Sequence, residues 1–234
     1  MACAPAALDP LPLLLAAAAA PRRSLYGLAA EPGAGKTTLA AQLSALVNAA
    51  RPGSCVALSM DGFHMTRAQL AQGVAGRSPA EALARRGAPW TFDAAALAAK
   101  VRAVRAGYGA SAAVGWPGFD HAVGDPQEDS VRVAPSVAVV LVEGLYLLHR
   151  ADGFEALEGL LEATWYVATP PALAQQRLCA RHQQAWGISA EEARARIARN
   201  DGPNAELVRQ GAARASGLVA CREAPPEPEG PRPL

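Results

Sequence analysis

The segment AEPGAGKTT, residues 30–38, is the part of the sequence that most limits the possible folds. The apolar run Ser24–Ala29 precedes it, and the run Lys36–Ala50, which contains no helix breaker, follows it. A glycine-rich turn between a strand and a helix points backbone N–H groups at one spot, where the helix N-terminus adds positive potential. The segment therefore predicts a phosphate-binding loop, in which Gly33 and Gly35 let the backbone approach an anion closely.

The loop departs from the usual pattern G-x-x-x-x-G-K-[ST] at its first position, which is Ala30. Alanine is acceptable there if the backbone φ angle is negative. Lys36 has the reach to contact the β- and γ-phosphates, and the Thr37 hydroxyl is suited to bind Mg²⁺. We therefore expect ATP and Mg²⁺ as cofactors. The residues predicted to hold the nucleotide are Gly33, Ala34, Gly35, Lys36, Thr37 and Thr38.

Other apolar runs bounded by turn residues predict further strands at 54–60, 137–142 and Ala163–Ala168. Helical patterns lie between them, at 93–106 and 171–184. Strands that alternate with helices form parallel sheets with right-handed crossovers. We predict an α/β fold with a mostly parallel sheet flanked by helices.

Composition excludes some classes of partner. The 22 basic and 21 acidic residues nearly balance, so no overall field attracts nucleic acid or a membrane surface. The four cysteines, Cys3, Cys55, Cys179 and Cys221, lack metal-ligand spacing and are interpreted as reduced thiols of a cytoplasmic protein. The apolar run 11–20 contains a proline, has no basic segment before it, and is predicted to be a leading helix rather than a signal peptide.

We predict one main domain at residues 23–221, after a helical lead at 1–22 and before a disordered tail at 222–234. Segment 107–135 is rich in glycine, proline and aspartate and is predicted to carry loops that face a substrate. Segment 177–204 is rich in arginine and is predicted to form a helical lid. A capping box that begins at Ser189 marks the start of a short helix within it.

Two acidic residues close apolar runs, Asp61 in CVALSMDGFH and Glu143 in VAVVLVEGLY. In open α/β sheets, ligands bind beyond the carboxyl ends of the strands, so both side chains are expected beside the phosphate-binding loop. Two carboxylates near a triphosphate suit two roles: one accepts or orients the proton of an attacking hydroxyl, and the other holds Mg²⁺. The alternative for each residue is the cap of a turn or helix.

Five segments in this order resemble the phosphoribulokinase/uridine kinase family of P-loop kinases: EPGAGKTTLA, SMDGFH, RRGAPWTFD, FDHAVGDP and VLVEGLYLL. They are most similar to its branch of pantothenate-kinase-like proteins and of proteins assigned as fructose-transport-system kinases. The resemblance covers residues 24 to 220 approximately. It implies a three-layer P-loop NTPase fold and a kinase activity. It also implies that Asp61 activates the substrate hydroxyl and that Glu143 is associated with the metal; Ala30 departs from the family's usual glycine.

The segments RRGAPWTFD and PGFDH resemble the family's substrate-side segments. The candidate substrate-binding residues are His64, Arg86, Trp90, Phe119, Asp120 and His121. Arg85 or Arg86 is suited to meet an anionic group, the aromatic residues to line a pocket, and Asp120 and His121 to bind hydroxyl groups. Trp90 is equally interpretable as a core residue, and His64 as a cap of local backbone. Asp93 is predicted to cap the following helix.

Arg177 and Arg181 lie four residues apart on one predicted helix face, and the lid helix of the family carries arginines at matching positions. Guanidinium groups stabilise the charge on a phosphoryl group in transfer. A solvated face with ion pairs to Glu191 and Glu192 is the alternative. For Arg196 and Arg199 that structural alternative is favoured, and NDGPN at 200–204 is interpreted as a turn.

Together these features predict an ATP-dependent kinase that phosphorylates a hydroxyl of a small metabolite such as a sugar, a pantothenate-like compound or a nucleoside. The catalytic candidates are Asp61, Lys36, Arg177 and Arg181, and the metal candidates are Thr37 and Glu143. A homodimer is compatible with the chain but not required by it. The alternatives are an NTP-hydrolysing switch or assembly factor, a nucleotide-binding protein without transfer activity, and a nucleoside monophosphate kinase that uses Arg67, Arg77, Arg85 and Arg86.

Overall fold

A computed structural model describes residues 7–120 and 123–220 of the chain. The strands of this part, in chain order, are β1 (Ser24–Ala29), β2 (Cys55–Ser59), β3 (Val114–Asp120), β4 (Asp125–Val133), β5 (Val139–Gly144), β6 (Ala163–Ala168) and β7 (Gly217–Ala220). Its α-helices are α1 (Leu11–Ala18), α2 (Lys36–Ala50), α3 (Arg67–Leu70), α4 (Pro79–Ala84), α5 (Ala94–Ala106), α6 (Pro171–Trp186), α7 (Ala190–Arg196) and α8 (Gly202–Gly211).

Five strands form a parallel sheet in the order β2-β5-β1-β6-β7. Alternate residues of β1 face opposite sides, so Leu25 packs in one apolar layer with α5 and Tyr26 in the other with α1 and α2. Each side of the sheet is therefore covered, as continuous apolar strands require. The predicted three-layer P-loop NTPase fold is confirmed.

Local patterns located several elements well. The predicted strands Ser24–Ala29 and Ala163–Ala168 and the helix Lys36–Ala50 are observed with the same bounds. Asp93 caps α5 through its carboxylate, which accepts a hydrogen bond of 2.8 Å from the Ala96 N–H, as predicted.

The prediction of loops over 107–135 is wrong, because β3 and β4 pair there as an antiparallel hairpin. The two strands contain few apolar residues, and Pro117 interrupts the apolar pattern of the first, so neither gives a recognisable strand signal. The hairpin is anchored by Trp116, which is buried and donates from Nε1 to the Ser59 carbonyl oxygen at 2.8 Å. An added Cβ at Gly62 would lie 2.0 Å from the Pro117 carbonyl oxygen, so the hairpin packs tightly on the turn that carries Asp61.

Arg23 is a buried cation at the opposite end of the sheet, just before β1, and only 3% of it is exposed. Its guanidinium donates to the carbonyl oxygens of Val104 (2.6 Å), Ala134 (2.6 Å) and Val137 (2.7 Å). Burial lowers the pKa of Arg23. The side chain thus ties the C-terminus of α5 and the segment before β5 to the start of β1.

The outer edge of the sheet contains a strand that the sequence patterns did not predict, β7. Beyond it, Ala7 forms a parallel bridge with Leu218, and the Leu8 N–H donates to the Leu218 carbonyl oxygen at 2.9 Å. Helix α1 follows and packs on α2 through Leu14. The predicted tail 222–234 lies outside the described residues. Among the helices that are described, none combines the length and the apolar character needed to cross a membrane.

Candidate active site

The phosphate-binding loop connects β1 to α2, as the sequence predicts. Gly35 is the N-cap of α2 with φ +87°, and Gly33 has φ +80°. An added Cβ at Gly33 would lie 2.2 Å from the carbonyl oxygen of Ala174 in α6. Both positions therefore favour glycine, since the left-handed conformation is costly for other residues, and at Gly33 a backbone atom also blocks the space. The loop leaves the N–H groups at the start of α2 available for an anion.

Ala30 fits this loop without strain. The described non-glycine residues with positive φ are Ala75, Asp129 and Asp152, so Ala30 has the negative φ that alanine prefers. Its methyl group is fully buried in the same apolar cluster as Ala34. Alanine in place of glycine at this position therefore adds a buried methyl group to the apolar cluster and does not disturb the loop conformation.

Lys36, Thr37 and Glu143 meet at the start of α2. The Thr37 hydroxyl donates to Glu143 Oε1 at 3.1 Å, and Lys36 Nζ lies 3.9 Å from Glu143 Oε2. Only 3% of Glu143 is exposed, and its Oε2 has no hydrogen-bond partner. Burial raises the pKa of Glu143; the charge of Lys36 lowers it and that of Asp61 raises it further. A buried carboxylate with an unpartnered oxygen beside a hydroxyl is a suitable oxygen-ligand set for a divalent cation.

Asp61 lies on a 3₁₀ turn, Met60–Phe63, directly after β2. Strand β2 pairs with β5 so that Ser59 is opposite Glu143, which places Asp61 just beyond that pair at the carboxyl edge. The Ser59 hydroxyl accepts a hydrogen bond of 3.2 Å from the Asp61 N–H. The charge of Asp61 contributes to the raised pKa of Glu143, which is consistent with two carboxylates that lie near each other. The predicted juxtaposition of Asp61, Glu143 and the loop is thus present.

Two of the substrate-side candidates lie beside Asp61. The His64 ring is 3.9 Å from the ring of Phe92 and 4.9 Å from that of Phe119, measured between centroids. Its Nδ1 is 2.9 Å from the Asp61 carbonyl oxygen, which matches the backbone-capping interpretation. His64 and Phe119 therefore form one wall next to the candidate base.

The other candidates have structural contacts. Arg86 Nη2 forms an ion pair of 2.7 Å with Asp125, and its guanidinium also donates to the carbonyl oxygens of Met65 and Gly124. Asp120 closes the hairpin turn by accepting from the Val123 N–H and from Gln127 Nε2 at 3.1 Å each. Trp90 is half-buried and lies under the Arg77 guanidinium at 4.2 Å. His121 lies outside the described residues.

Comparison with known proteins agrees with this geometry. No protein-family model matches the chain. A Schizosaccharomyces pombe protein provisionally assigned as a uridine kinase is 36% identical over 191 residues, which are 80% of this chain and 78% of that protein. The ATP-dependent kinase-like protein notR' of Aspergillus versicolor is 40% identical over 124 residues, 53% of this chain and 70% of the relative.

Among solved structures, a protein of Silicibacter sp. TM1040 provisionally assigned as a fructose transport system kinase superposes with a TM-score of 0.75 at 29% identity, and covers 89% of this chain and 98% of its own. The chain belongs to the phosphoribulokinase/uridine kinase family of P-loop kinases. YFH7 of Saccharomyces cerevisiae shares the fold, with a TM-score of 0.73 at 18% identity over 92% of this chain and 97% of its own.

The segment predicted to form a lid, 177–204, contains most of α6, all of α7, a π-helical segment, Ile197–Asp201, and the start of α8. The predicted capping box is confirmed, with Ser189 and Glu192 each bonded to the other's backbone N–H. Glu192 is thus used by the cap. Arg177 is half-buried on α6, and Arg181 is exposed and acts electrostatically on Asp201.

A buried histidine marks the inner side of the lid. His182 Nε2 is 3.7 Å from Asp201 Oδ2, and the ring packs on Trp186, over which Arg196 stacks at 4.0 Å. Burial, together with the charges of Arg181 and Arg196, lowers the pKa of His182 to about 4. Burial raises the pKa of Asp201, while Arg196 and Arg181 lower it. Arg196 thus has a structural contact, but with Trp186 rather than the predicted ion pairs to Glu191 and Glu192.

The interpretation of NDGPN as a turn is wrong, because these residues continue the π-helical segment into α8. Asn200 and Asn204 lie four residues apart and reach the segment that follows α4. Asn200 Nδ2 donates to the Arg86 carbonyl oxygen at 2.9 Å, and Arg85 Nη2 lies 3.5 Å from Asn204 Oδ1. The spacing of the two asparagines was the available signal for a shared helix face. The lid and the RRG segment are thus in direct contact.

Proposed function

We propose that this chain is an ATP-dependent kinase that transfers the γ-phosphoryl group to a hydroxyl of a small metabolite. The observation that carries the proposal is the placement of Asp61 and Glu143 at the carboxyl edge of neighbouring strands, next to Lys36 and Thr37. This arrangement supports the proposal because it brings the phosphate-binding loop, a candidate cation site and a further carboxylate to one edge of the sheet.

The nucleotide phosphates would be held by the N–H groups of residues 33–38 and by Lys36. The Thr37 hydroxyl and the Glu143 carboxylate would hold Mg²⁺. These two side chains already form a hydrogen bond of 3.1 Å. When bound, Mg²⁺ supplies positive charge that neutralises the phosphate oxygens. Lys36 adds a second cation, which is largely shielded from solvent by its position against Glu143.

Asp61 would orient the acceptor hydroxyl and take its proton. The acceptor oxygen then forms a bond to the γ-phosphorus as the bond to the β-phosphate oxygen breaks, which leaves ADP and a phosphate ester. Arg177 and Arg181 on α6 would stabilise the transferred group. Catalysis here rests mainly on positioning and electrostatics, since phosphoryl transfer asks for little covalent chemistry from the protein.

The acceptor belongs in our proposal to the small hydroxyl compounds, namely sugars, pantothenate-like compounds or nucleosides. His64 and Phe119 would line its site beside Asp61. The buried Trp116 and the close contact between Gly62 and Pro117 fix the turn that presents Asp61, so the base is held on a rigid support.

The test is ADP release from Mg·ATP, measured alone and with a panel of acceptors. Asp61→Asn is compared with Asp129→Asn, a control at an exposed hairpin position whose φ of +52° asparagine tolerates well. We expect one acceptor class to raise ADP release, Asp61→Asn to lower that rate by about 10²–10⁴-fold, and Asp129→Asn to keep it. If no acceptor raises the rate and Asp61→Asn leaves a slow basal hydrolysis unchanged, the chain is an NTP-hydrolysing switch instead.

A further inference from the structure

Two adjacent arginines, Arg85 and Arg86, differ in how their charges are compensated. Arg86 has the ion pair with Asp125 and two carbonyl partners described above. Arg85 has no carboxylate within ion-pair distance among residues 7–120 and 123–220. Within the same residues, its one side-chain hydrogen bond is the long contact of 3.5 Å to Asn204. Arg85 is thus a half-buried guanidinium whose charge the protein leaves largely uncompensated.

Buried donors and acceptors without partners gather around Arg85. The Arg85 Nε and the Asn200 Oδ1 are both buried and have no hydrogen-bond partner. Asn200 and Asn204 both approach Gly87: an added Cβ there would lie 3.9 Å from Asn200 Nδ2 and 3.7 Å from Asn204 Nδ2. Polar groups left unpaired in this way are uncommon in folded proteins, and a ligand, an ion or an ordered water completes such hydrogen bonding.

This cluster lies within electrostatic range of the candidate base. The Tyr146 hydroxyl donates to the Gly87 carbonyl oxygen at 2.6 Å. Burial raises the pKa of Tyr146, and the charges of Arg85, Asp201 and Asp61 all act on the same hydroxyl. The Tyr146 N–H also contacts Met60 Sδ at 3.5 Å, next to Asp61 in the chain. Arg85 and Asp61 therefore both lie near Tyr146, whose contacts connect the turn after β2 to Gly87.

Asp201, whose charge also acts on Tyr146, has cations other than Arg85 beside it. The positive charges that act on it are those of Arg196 and Arg181. The charge of Arg85 is consequently available for a group from outside the chain.

We infer that Arg85 selects the phosphate acceptor by charge: the kinase takes hydroxyl compounds that also carry a carboxylate or phosphate, to which the Arg85 guanidinium donates. Asn200 Oδ1 accepts a hydrogen bond from a second hydroxyl of the same compound. This inference rests on the proposed kinase function. The fork of a guanidinium matches a carboxylate or phosphate better than an ammonium group does, which gives arginine a specific advantage at this position.

The experiment measures binding of matched pairs of compounds by calorimetry, with Mg²⁺ and a non-hydrolysable ATP analogue present. The pairs are glycerol with glycerate, glucose with gluconate, and ribose with ribose 5-phosphate, so that carboxylate and phosphate are separate arms. The variants are Arg85→Gln, Arg85→Lys and, as a charge-matched control, Arg51→Gln at an exposed position after α2. Nucleotide affinity of each variant shows that it is folded.

We expect at least one anionic compound to bind about tenfold or more tightly than its neutral partner. Arg85→Gln should abolish that preference, Arg85→Lys should keep part of it, and Arg51→Gln should leave it unchanged. The inference is overturned if neutral compounds bind as well as anionic ones, if no compound binds, or if Arg85→Gln keeps the full preference. ADP release is measured separately with the same pairs of compounds. If binding depends on Arg85 but no ADP is released, the kinase proposal is rejected and the inference on Arg85 stands. Turnover of neutral acceptors that is insensitive to Arg85→Gln would reject this inference alone.

Discussion

Replacing Ala30 by glycine would restore the usual first residue of the phosphate-binding loop. We predict that the replacement lowers the free energy of unfolding and does not improve nucleotide binding. Ala30 is fully buried, has a negative φ and packs in the apolar cluster of α1 and α2. The glycine would therefore gain no conformation that the loop needs. It would lose a buried methyl group and add freedom to the unfolded chain.

The expected cost follows from these two losses. A buried methyl-sized group contributes about 0.8 kcal/mol, and the extra freedom that glycine gives the unfolded chain costs about 0.4–1 kcal/mol. Ala30→Gly should therefore lower the free energy of unfolding by about 1–2 kcal/mol. For a chain of this size the midpoint of thermal unfolding should fall by about 2–8 °C.

The assay combines urea unfolding, followed by tryptophan fluorescence, with titration of a fluorescent ATP analogue. Gly33→Ala is the comparison, because its φ of +80° and the Ala174 carbonyl oxygen 2.2 Å from the added Cβ leave no room for a methyl group. We expect Gly33→Ala to cost more than about 2 kcal/mol and to abolish nucleotide binding. If Ala30→Gly instead stabilises the fold or tightens nucleotide binding about tenfold, Ala30 is a defect in the loop and our interpretation of its packing is wrong.

Three further predictions concern buried ionisable groups. Arg23→Met should lower the free energy of unfolding by at least about 3 kcal/mol in urea titrations, since each buried carbonyl left without a donor costs about 1–3 kcal/mol; a loss below about 1 kcal/mol would show that water replaces the guanidinium. Glu143→Gln should raise the Mg²⁺ concentration needed for tight nucleotide binding by about 10–100-fold, while binding in EDTA persists; an unchanged Mg²⁺ requirement would remove Glu143 from the metal site. His182 has a folded pKa of about 4 against 6.5 in the unfolded chain, so its contribution to stability is complete above about pH 6.5 and declines as the pH falls toward about 4. Thermal unfolding of His182→Gln should depend less on pH over this window, and parallel curves for the two proteins would contradict that.

The sequence predicted the parts of the site that depend on local pattern. The glycine loop, the helix after it and the acidic residues at strand ends are set by turn geometry and by the alternation of strands and helices. Parallel strands bring their carboxyl ends to one edge of the sheet, so the sequence alone predicts that Asp61 and Glu143 lie close together. The cap of α5 by Asp93 and the capping box at Ser189 were equally local, and both are present.

The remaining parts depend on contacts between distant segments. The hydrogen bonds of Asn200 to the Arg86 carbonyl and of Arg85 to Asn204 each span more than a hundred residues. They depend on how the π-helical segment and the start of α8 pack against the RRG segment. The ion pair of Arg86 with Asp125 similarly depends on the hairpin, whose polar strands give no apolar run to recognise. The sequence alone therefore does not predict that Arg86 has a carboxylate partner and that Arg85 has none among the described residues.

The bridge between Ala7 and Leu218 has a consequence for the order of folding. It joins segments from opposite ends of the described chain at the same edge of the sheet, and β6 is covered on that side only by β7. Contacts so far apart along the chain close late, because the loop between them must be ordered first. During synthesis, the edge of β6 therefore remains unpaired until Gly217–Ala220 has left the ribosome. Strand β7, the last strand of the described residues, thus covers a flank of β6 that could otherwise pair with another chain.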